Sequence, residues 1–231
     1  MALPAQVDSE MIEVTVWTRG VTLAKEGRDT ATLLATAGKS EGKHTQSFDN
    51  YVDLPDRIGV ACKSYARISP DPIESFYEYE NRHHDVIVLA EETMVKGHGY
   101  LNGAKPGCVI VVNTARQPEA LLRWLEPKEG LVLVKALATI DANSFGAGVT
   151  LTFDGTEGAA DSTAIGAGVG AAIAGAAAKA SGCVGLSTLL EAAENKDAVQ
   201  QGWDRVRILP LCDGRPYACE TPADPQEIGW R

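Results

Sequence analysis

Two short, unbroken apolar runs constrain this chain more than any other feature. Asp85-Val86-Ile87-Val88-Leu89-Ala90 and Cys108-Val109-Ile110-Val111-Val112 show no alternation of apolar and polar side chains. Strands of that kind must be covered on both faces, as in a sheet sandwiched between helices. Each run is followed by a helical pattern, Glu91 to Leu101 after the first and Gln117 to Leu125 after the second. Strands alternating with helices at this spacing predict an α/β fold: a doubly wound, mostly parallel sheet with helices on both faces.

The remaining segments extend that pattern. Ile12 to Trp17 is β-branched and alternating, so it reads as a first strand, followed by a loop over Thr18 to Gly27. Ala31, Leu33, Leu34 and Ala37 then share one helical face, and Gly38 with Gly42 supplies the stop. Lys43 to Phe48 and Gly59 to Ile68 read as two further strands, separated by an exposed turn-rich segment with Asp49-Asn50 and Leu54-Pro55-Asp56. Leu131 to Leu137 and the strand-like Gly148 to Phe153 lead into an Ala/Gly-rich helix and two shorter helices ending near Trp203. Val206 to Leu209 adds an edge strand. From Pro210 onward, Pro216, Pro222 and Pro225 forbid a long helix, so residues 210–231 form an irregular C-terminal arm beyond a single domain of residues 11–209. Tyr217 and Trp230 in that arm, with Trp203 before it, suit an interface, and the arm is expected to dock on a partner subunit.

Charge and composition exclude several classes. A net charge of −10 is wrong for a binder of phosphate backbones, so no nucleic acid is expected. Met1 to Glu10 lacks the basic and apolar halves of a secretory signal. The longest apolar run, Ala164 to Ala178, is mostly alanine and glycine and reads as a buried helix, so no membrane span is expected. Cys62, Cys108, Cys183, Cys212 and Cys219 show no C-x-x-C spacing, which points to reduced cytoplasmic thiols and no metal site built by this chain alone. His83 and His84 are neighbours on an extended chain and point to opposite faces, and His44 and His98 stand alone. No G-x-S-x-G elbow occurs, and no catalytic residue is assigned. Gly166-Ala-Gly168-Val-Gly170-Ala171 matches a dinucleotide fingerprint in letters, but it follows a polar segment and merges into a small-residue helix, so close packing is its expected use.

A set of short motifs, in order, carries a resemblance. They are Glu41-Gly42-Lys43-His44-Thr45-Gln46-Ser47-Phe48, Asp56-Arg57-Ile58-Gly59-Val60 leading to Tyr65-Ala66-Arg67-Ile68-Ser69, and Val112-Asn113-Thr114. Ser162-Thr163-Ala164-Ile165-Gly166-Ala167 and Gly185-Leu186-Ser187-Thr188-Leu189-Leu190-Glu191-Ala192 follow. Together, over about residues 11 to 209, the chain resembles the gamma subunit of the 2-oxoacid:acceptor oxidoreductases, which act on pyruvate, branched-chain oxoacids, oxoglutarate or phenylglyoxylate. Family members usually carry Gly-Arg-Gly-Gly-Gln-Gly after the first strand, and only Arg19-Gly20 of it is kept here. A second loop usually has paired arginines before glycine, and here Arg57 alone precedes Ile58-Gly59.

The resemblance implies an accessory subunit, inactive alone, in a complex that oxidatively decarboxylates a 2-oxoacid to an acyl-CoA; the altered first loop leans toward an aromatic substrate such as phenylglyoxylate. It implies thiamine diphosphate, Mg2+ and iron–sulfur clusters in sister chains, with coenzyme A and FAD as further candidates, and no cofactor bound by this chain alone. The implied partners are thiamine-binding alpha and beta subunits and an iron–sulfur delta-type subunit, with a flavin subunit as a further candidate. Arg19, Gly20, Arg57 and Gly59 are the loop residues placed to contact a cofactor. The alternative from another class is a stand-alone Rossmann-like protein that binds a nucleotide or small ligand.

Overall fold

The computed structural model describes residues 10–50, 60–73, 79–97, 99–125, 131–145, 168–212 and 215–216. They form one eight-stranded sheet in the order β2-β3-β1-β4-β5-β6-β7-β8. Its centre is parallel: β1 (Ile12–Arg19) pairs with β4 (His84–Leu89), β4 with β5 (Ala104–Asn113), and β5 with β6 (Val134–Ile140). The margins are antiparallel. β3 (Ala61–Ser69) lies between β1 and β2 (His44–Asp49); on the other side β7 (Arg207–Cys212) follows β6, and the two-residue β8 (Arg215–Pro216) follows β7.

The two apolar runs occupy β4 and β5, and their residues divide between two cores because successive side chains on a strand point to opposite faces. Val86, Val88, Val109 and Val111 pack with Val14 and Val16 of β1 against α1 (Gly20–Ser40), α3 (Val169–Ser181), α4 (Leu186–Ala192) and α5 (Lys196–Arg205). Ile87, Leu89, Ile110 and Val112 pack on the other face against Leu121, Leu122 and Leu125 of α2 (Pro118–Leu125) and against Met94 and Val95. Both faces are therefore covered, as expected of a doubly wound sheet.

Three local expectations are corrected. No loop follows β1: α1 begins at Gly20, directly after Arg19. Gly27, which in sequence reads as a loop residue, is a contact point within the helix, where a Cβ would stand 2.7 Å from Thr18 Cγ2. Close approach to the strand offsets the roughly 1 kcal/mol that glycine costs a helix. The expected helix over Glu91 to Leu101 shrinks to a single 3-10 turn, Glu92–Val95, with Gly97 at φ +121° behind it. The Tyr100 hydroxyl closes that turn by donating to the Val95 carbonyl at 2.9 Å. Finally, Pro210 lies inside β7, opposite Ala136. Proline is tolerated there because β8 pairs only with Leu211 and Cys212, which leaves β7 an edge strand at Pro210. The strand-like Gly148 to Phe153 and the arm beyond Pro216 lie outside the described residues.

Candidate functional site

In open α/β sheets, ligands bind beyond the carboxyl ends of the parallel strands, at the point where neighbouring connections leave for opposite faces. That parting lies here between β1 and β4. From β1 the chain enters α1 on one face, and from β4 it enters the Glu92–Val95 turn on the other. Arg19 closes β1 and serves as the N-cap position of α1. No side chain caps that helix end and no acidic residue occupies its first turn, so the partial positive charge of a 21-residue helix is not offset by its own residues. Across the parting, Arg19 Nε stands 3.6 Å from Glu91 Oε2, in a pair about one-third exposed (36% on each side).

The neighbouring strand ends are tied together. Asn113 donates from Nδ2 to the Ala90 carbonyl at 3.1 Å and accepts from the Ala142 amide at 2.9 Å, joining the ends of β4, β5 and β6. This gives the Val112-Asn113-Thr114 motif a structural use. Glu92 accepts from the Thr114 hydroxyl and from Arg116 Nε at 3.2 Å. Thr114 first, then Arg116 and Lys96, hold its carboxyl below the usual range. The edge is thus a balanced row of arginines and carboxylates beside an uncapped helix start.

Arg19 and Gly20 are both at this edge, whereas Arg57 and Gly59 lie outside the described residues; β3 enters at Ala61, whose register partner is Arg19. His44 is exposed on β2, Cys219 and His98 lie outside the described residues, and Cys62, Cys108, Cys183 and Cys212 are free thiols. Burial pushes the Cys108 thiol up to about 12 and the Cys183 thiol upward as well. Among the described residues, no group of three His, Cys, Asp or Glu side chains is placed to hold a metal ion. The described thiols therefore do not fit an iron–sulfur cluster.

At the amino ends of the strands lies a buried polar network that sequence reasoning missed. Arg67, 1% exposed, donates to Asn81 Oδ1 (3.0 Å), Gln46 Oε1 (3.3 Å) and the Glu80 carbonyl (2.8 Å). Lys105 pairs with Asp85 at 2.8 Å and stands 3.7 Å from Glu13. Asn81 donates to Thr15 Oγ1 at 3.1 Å, and Thr15 meets His84 Nδ1 at 2.9 Å. The detectable signal was Arg67 amid the apolar side chains of β3. Beside the network, a cleft of about 570 Å³ runs from His84 to Trp17, with Lys63 Nζ 4.6 Å from the indole centroid.

Two more motifs form a clasp. Glu41 accepts from the Gly185 amide at 2.6 Å and the Thr188 hydroxyl at 2.8 Å, at the start of α4, while Lys43 donates to the Cys183 carbonyl at 3.1 Å. The glycine run also serves packing where it is described. Glu26 Oε2 accepts from the Gly170 amide at 2.8 Å, filling the helix-start position a pyrophosphate would need.

Residues 28–203 match the family model described as pyruvate ferredoxin/flavodoxin oxidoreductase. The chain is 30% identical to the pyruvate/ketoisovalerate oxidoreductases common subunit gamma of Thermococcus kodakarensis, over 70% of its own length and 75% of that protein. It is 26% identical to the protein of the same name from Pyrococcus furiosus, over 87% of its own length and the whole of the other. Among solved structures, the pyruvate oxidoreductase subunit PORC of Thermotoga maritima shares its fold with a TM-score of 0.60 at 17% identity, over 87% of this chain and 99% of that one.

Proposed function

The chain belongs to the pyruvate ferredoxin/flavodoxin oxidoreductase family, and from that premise we propose that it is the gamma-type subunit of a 2-oxoacid:acceptor oxidoreductase. The observation that carries the reading is the match to relatives that are themselves gamma subunits and that the chain covers over three quarters or more of their length. Its partners are thiamine-binding alpha and beta chains and an iron–sulfur delta-type chain, with a flavin chain where nicotinamide takes the electrons. In the complex, sister chains would hold thiamine diphosphate with Mg2+ and iron–sulfur clusters, which would supply the decarboxylation of a 2-oxoacid and an exit for two electrons, with coenzyme A as the acyl acceptor. Among the described residues no three ligating side chains converge, which supports placing the clusters on sister chains. No helix among the described residues is long and apolar enough to cross a membrane, and the reading places the complex in the cytoplasm.

This chain's part is to seal the junction and receive the acyl acceptor. Arg19 and Gly20 offer a cation and helix-start amides to the acceptor's phosphates, and Arg57 and Gly59 of the second family motif are the further contacts proposed for it. Glu91, 3.6 Å from Arg19, is the counter-charge that the acceptor's phosphates would displace. The family domain runs from about residue 11 through β7 and β8, and the segment beyond Pro216 is the part of the chain that would reach a sister chain. Retention of only Arg19-Gly20 from the family's Gly-Arg-Gly-Gly-Gln-Gly motif supports a member with a changed acceptor or substrate, and phenylglyoxylate joins pyruvate and the branched-chain oxoacids as the substrates to assay.

The test is a gentle pull-down of the tagged chain from its host. Larger sister chains in fixed ratio, a broad absorbance near roughly 400 nm from thiolate-bound clusters, and oxoacid-dependent dye reduction are expected. In the purified complex, Arg19→Ala and Arg57→Ala should raise KM for the acyl acceptor about tenfold with kcat nearly unchanged, the mark of a lost binding contact. A colourless chain recovered alone would return the stand-alone binding protein to first place.

A further inference from the structure

Trp124, near the end of α2, has three cations around its indole ring. Lys96 Nζ and Arg123 Cζ each stand 4.6 Å from the ring centroid, and Arg116 Cζ stands at 5.3 Å. Arg207 reaches the segment that precedes α2, its guanidinium donating to the carbonyl of Ala115, the residue before Arg116, at 3.3 Å. Each of the three cations at the ring is attracted to it, but like charges gathered at one ring repel one another. Among the described residues, Arg116 alone of the four has a carboxylate at ion-pair distance, Glu92 at 3.2 Å. Glu119 lies one turn before Arg123 on α2 and makes no ion pair with it.

On a chain of net charge −10, this local excess of positive charge is the reverse of the molecule's general character. Lys96, Arg116 and Arg123 are exposed, and Trp124 is partly so. These residues line neither the Trp17–His84 cleft nor the one between α1 and α3. Small ligands are held in enclosed, largely apolar sites, whereas tryptophan and arginine on an open surface are the residues around which protein interfaces concentrate their energy. We infer that this surface, with Lys96, Arg116 and Arg123 around Trp124 and Arg207 bonded to the chain just before Arg116, docks an acidic segment of a sister subunit. A carboxylate set among the cations at the ring would relieve their repulsion, and Trp124 would supply the apolar contact beside it. The inference rests on the reading of the chain as a subunit.

The experiment compares the full-length tagged wild type with the K96E/R123E/R207E variant in the native host, identifying recovered sister chains by mass spectrometry. Wild type should recover them, less as salt rises, and the variant should recover about tenfold less while keeping the wild-type circular dichroism spectrum and melting curve. Arg123→Lys, which preserves the charge, should stay within about twofold of wild type. If the triple variant melts early, Lys96→Glu alone should still lower recovery about threefold. Wild-type recovery by the charge-reversed chains overturns the inference. So does a triple variant that keeps its sister chains but loses a co-purifying small anion, which would make the surface a small-ligand site. If wild type recovers no sister chain, the subunit reading falls, and the docking inference falls with it.

Discussion

His84 is held neutral by its surroundings. It is 6% exposed, and Thr15 Oγ1 lies 2.9 Å from Nδ1. Burial first, and Lys63 second, lower its pKa from the ordinary value to about 4. Above the unfolded value, near 6.5, the folded and unfolded chains are both unprotonated at this site and it contributes nothing to pH dependence. Between 6.5 and about 4 only the unfolded chain takes the proton, so stability falls with pH across that window, by up to about 3 kcal/mol. His84→Gln should cost about 1–2 kcal/mol at pH 7 through its lost hydrogen bond. Its urea midpoint should approach or pass that of wild type by pH 4.5. A constant gap between the two proteins from pH 7 to 4.5 would refute the buried neutral imidazole. At this scale the sequence was partly legible. Arg19-Gly20 stood out because a strand end beside a glycine is a familiar ligand position, and the structure puts both at the carboxyl edge. Arg67 and His84 did not stand out, because their burial depends on Glu13, Asn81 and Lys105, which are distant in sequence from one or both of them.

The α3–α5 pair shows why the Ala/Gly-rich run is needed. A Cβ on Gly202 would stand 1.9 Å from the Ala172 carbonyl oxygen, and one on Gly175 would stand 2.2 Å from that of Val199. The two backbones touch reciprocally through glycines, and no side chain can yield to make room. Gly202→Ala should therefore lower unfolding free energy by about 3 kcal/mol or more. Gly182→Ala tests whether clash or conformation matters more, since a Cβ there meets open space and the strain is only that of φ +75°. It should cost roughly 1–2 kcal/mol. Equal denaturant midpoints for the two variants would mean that the helices move apart readily. At the element scale, β1, β3 to β6 and α2 to α5 were legible because apolar periodicity reports burial directly. The start of α1 was not, because Gly27 signals a turn unless its neighbour Thr18 is known to lie against it. Glu91 to Leu101 misled in the opposite way, because its helix-like spacing contains Gly97 and Gly99, which the fold uses as turns.

Across the whole molecule, coverage and pairing rank the strands in the same order. β4 and β5 are paired on both sides and buried on both faces, whereas β2 is an outer edge with every residue at least partly exposed. Local opening should follow that order. In the isolated chain, the amides of Ile87, Val88, Ile110 and Val111 should exchange with solvent only through global unfolding, and unpaired β2 amides at least about a hundredfold faster. Comparable protection at β2 and β5 would contradict the strand order. Trp124 sits on α2, whose Leu121, Leu122 and Leu125 are anchored in the same core as Ile87 and Ile110, so the basic surface rests on the slow-opening part of the fold. A rigid anchor loses little entropy when a partner docks. Assembly should therefore leave the already protected amides of β4 and β5 unchanged and add protection at α2 and the Glu92–Val95 turn. Added protection confined to β2 would instead place the sister chain on the opposite edge of the sheet.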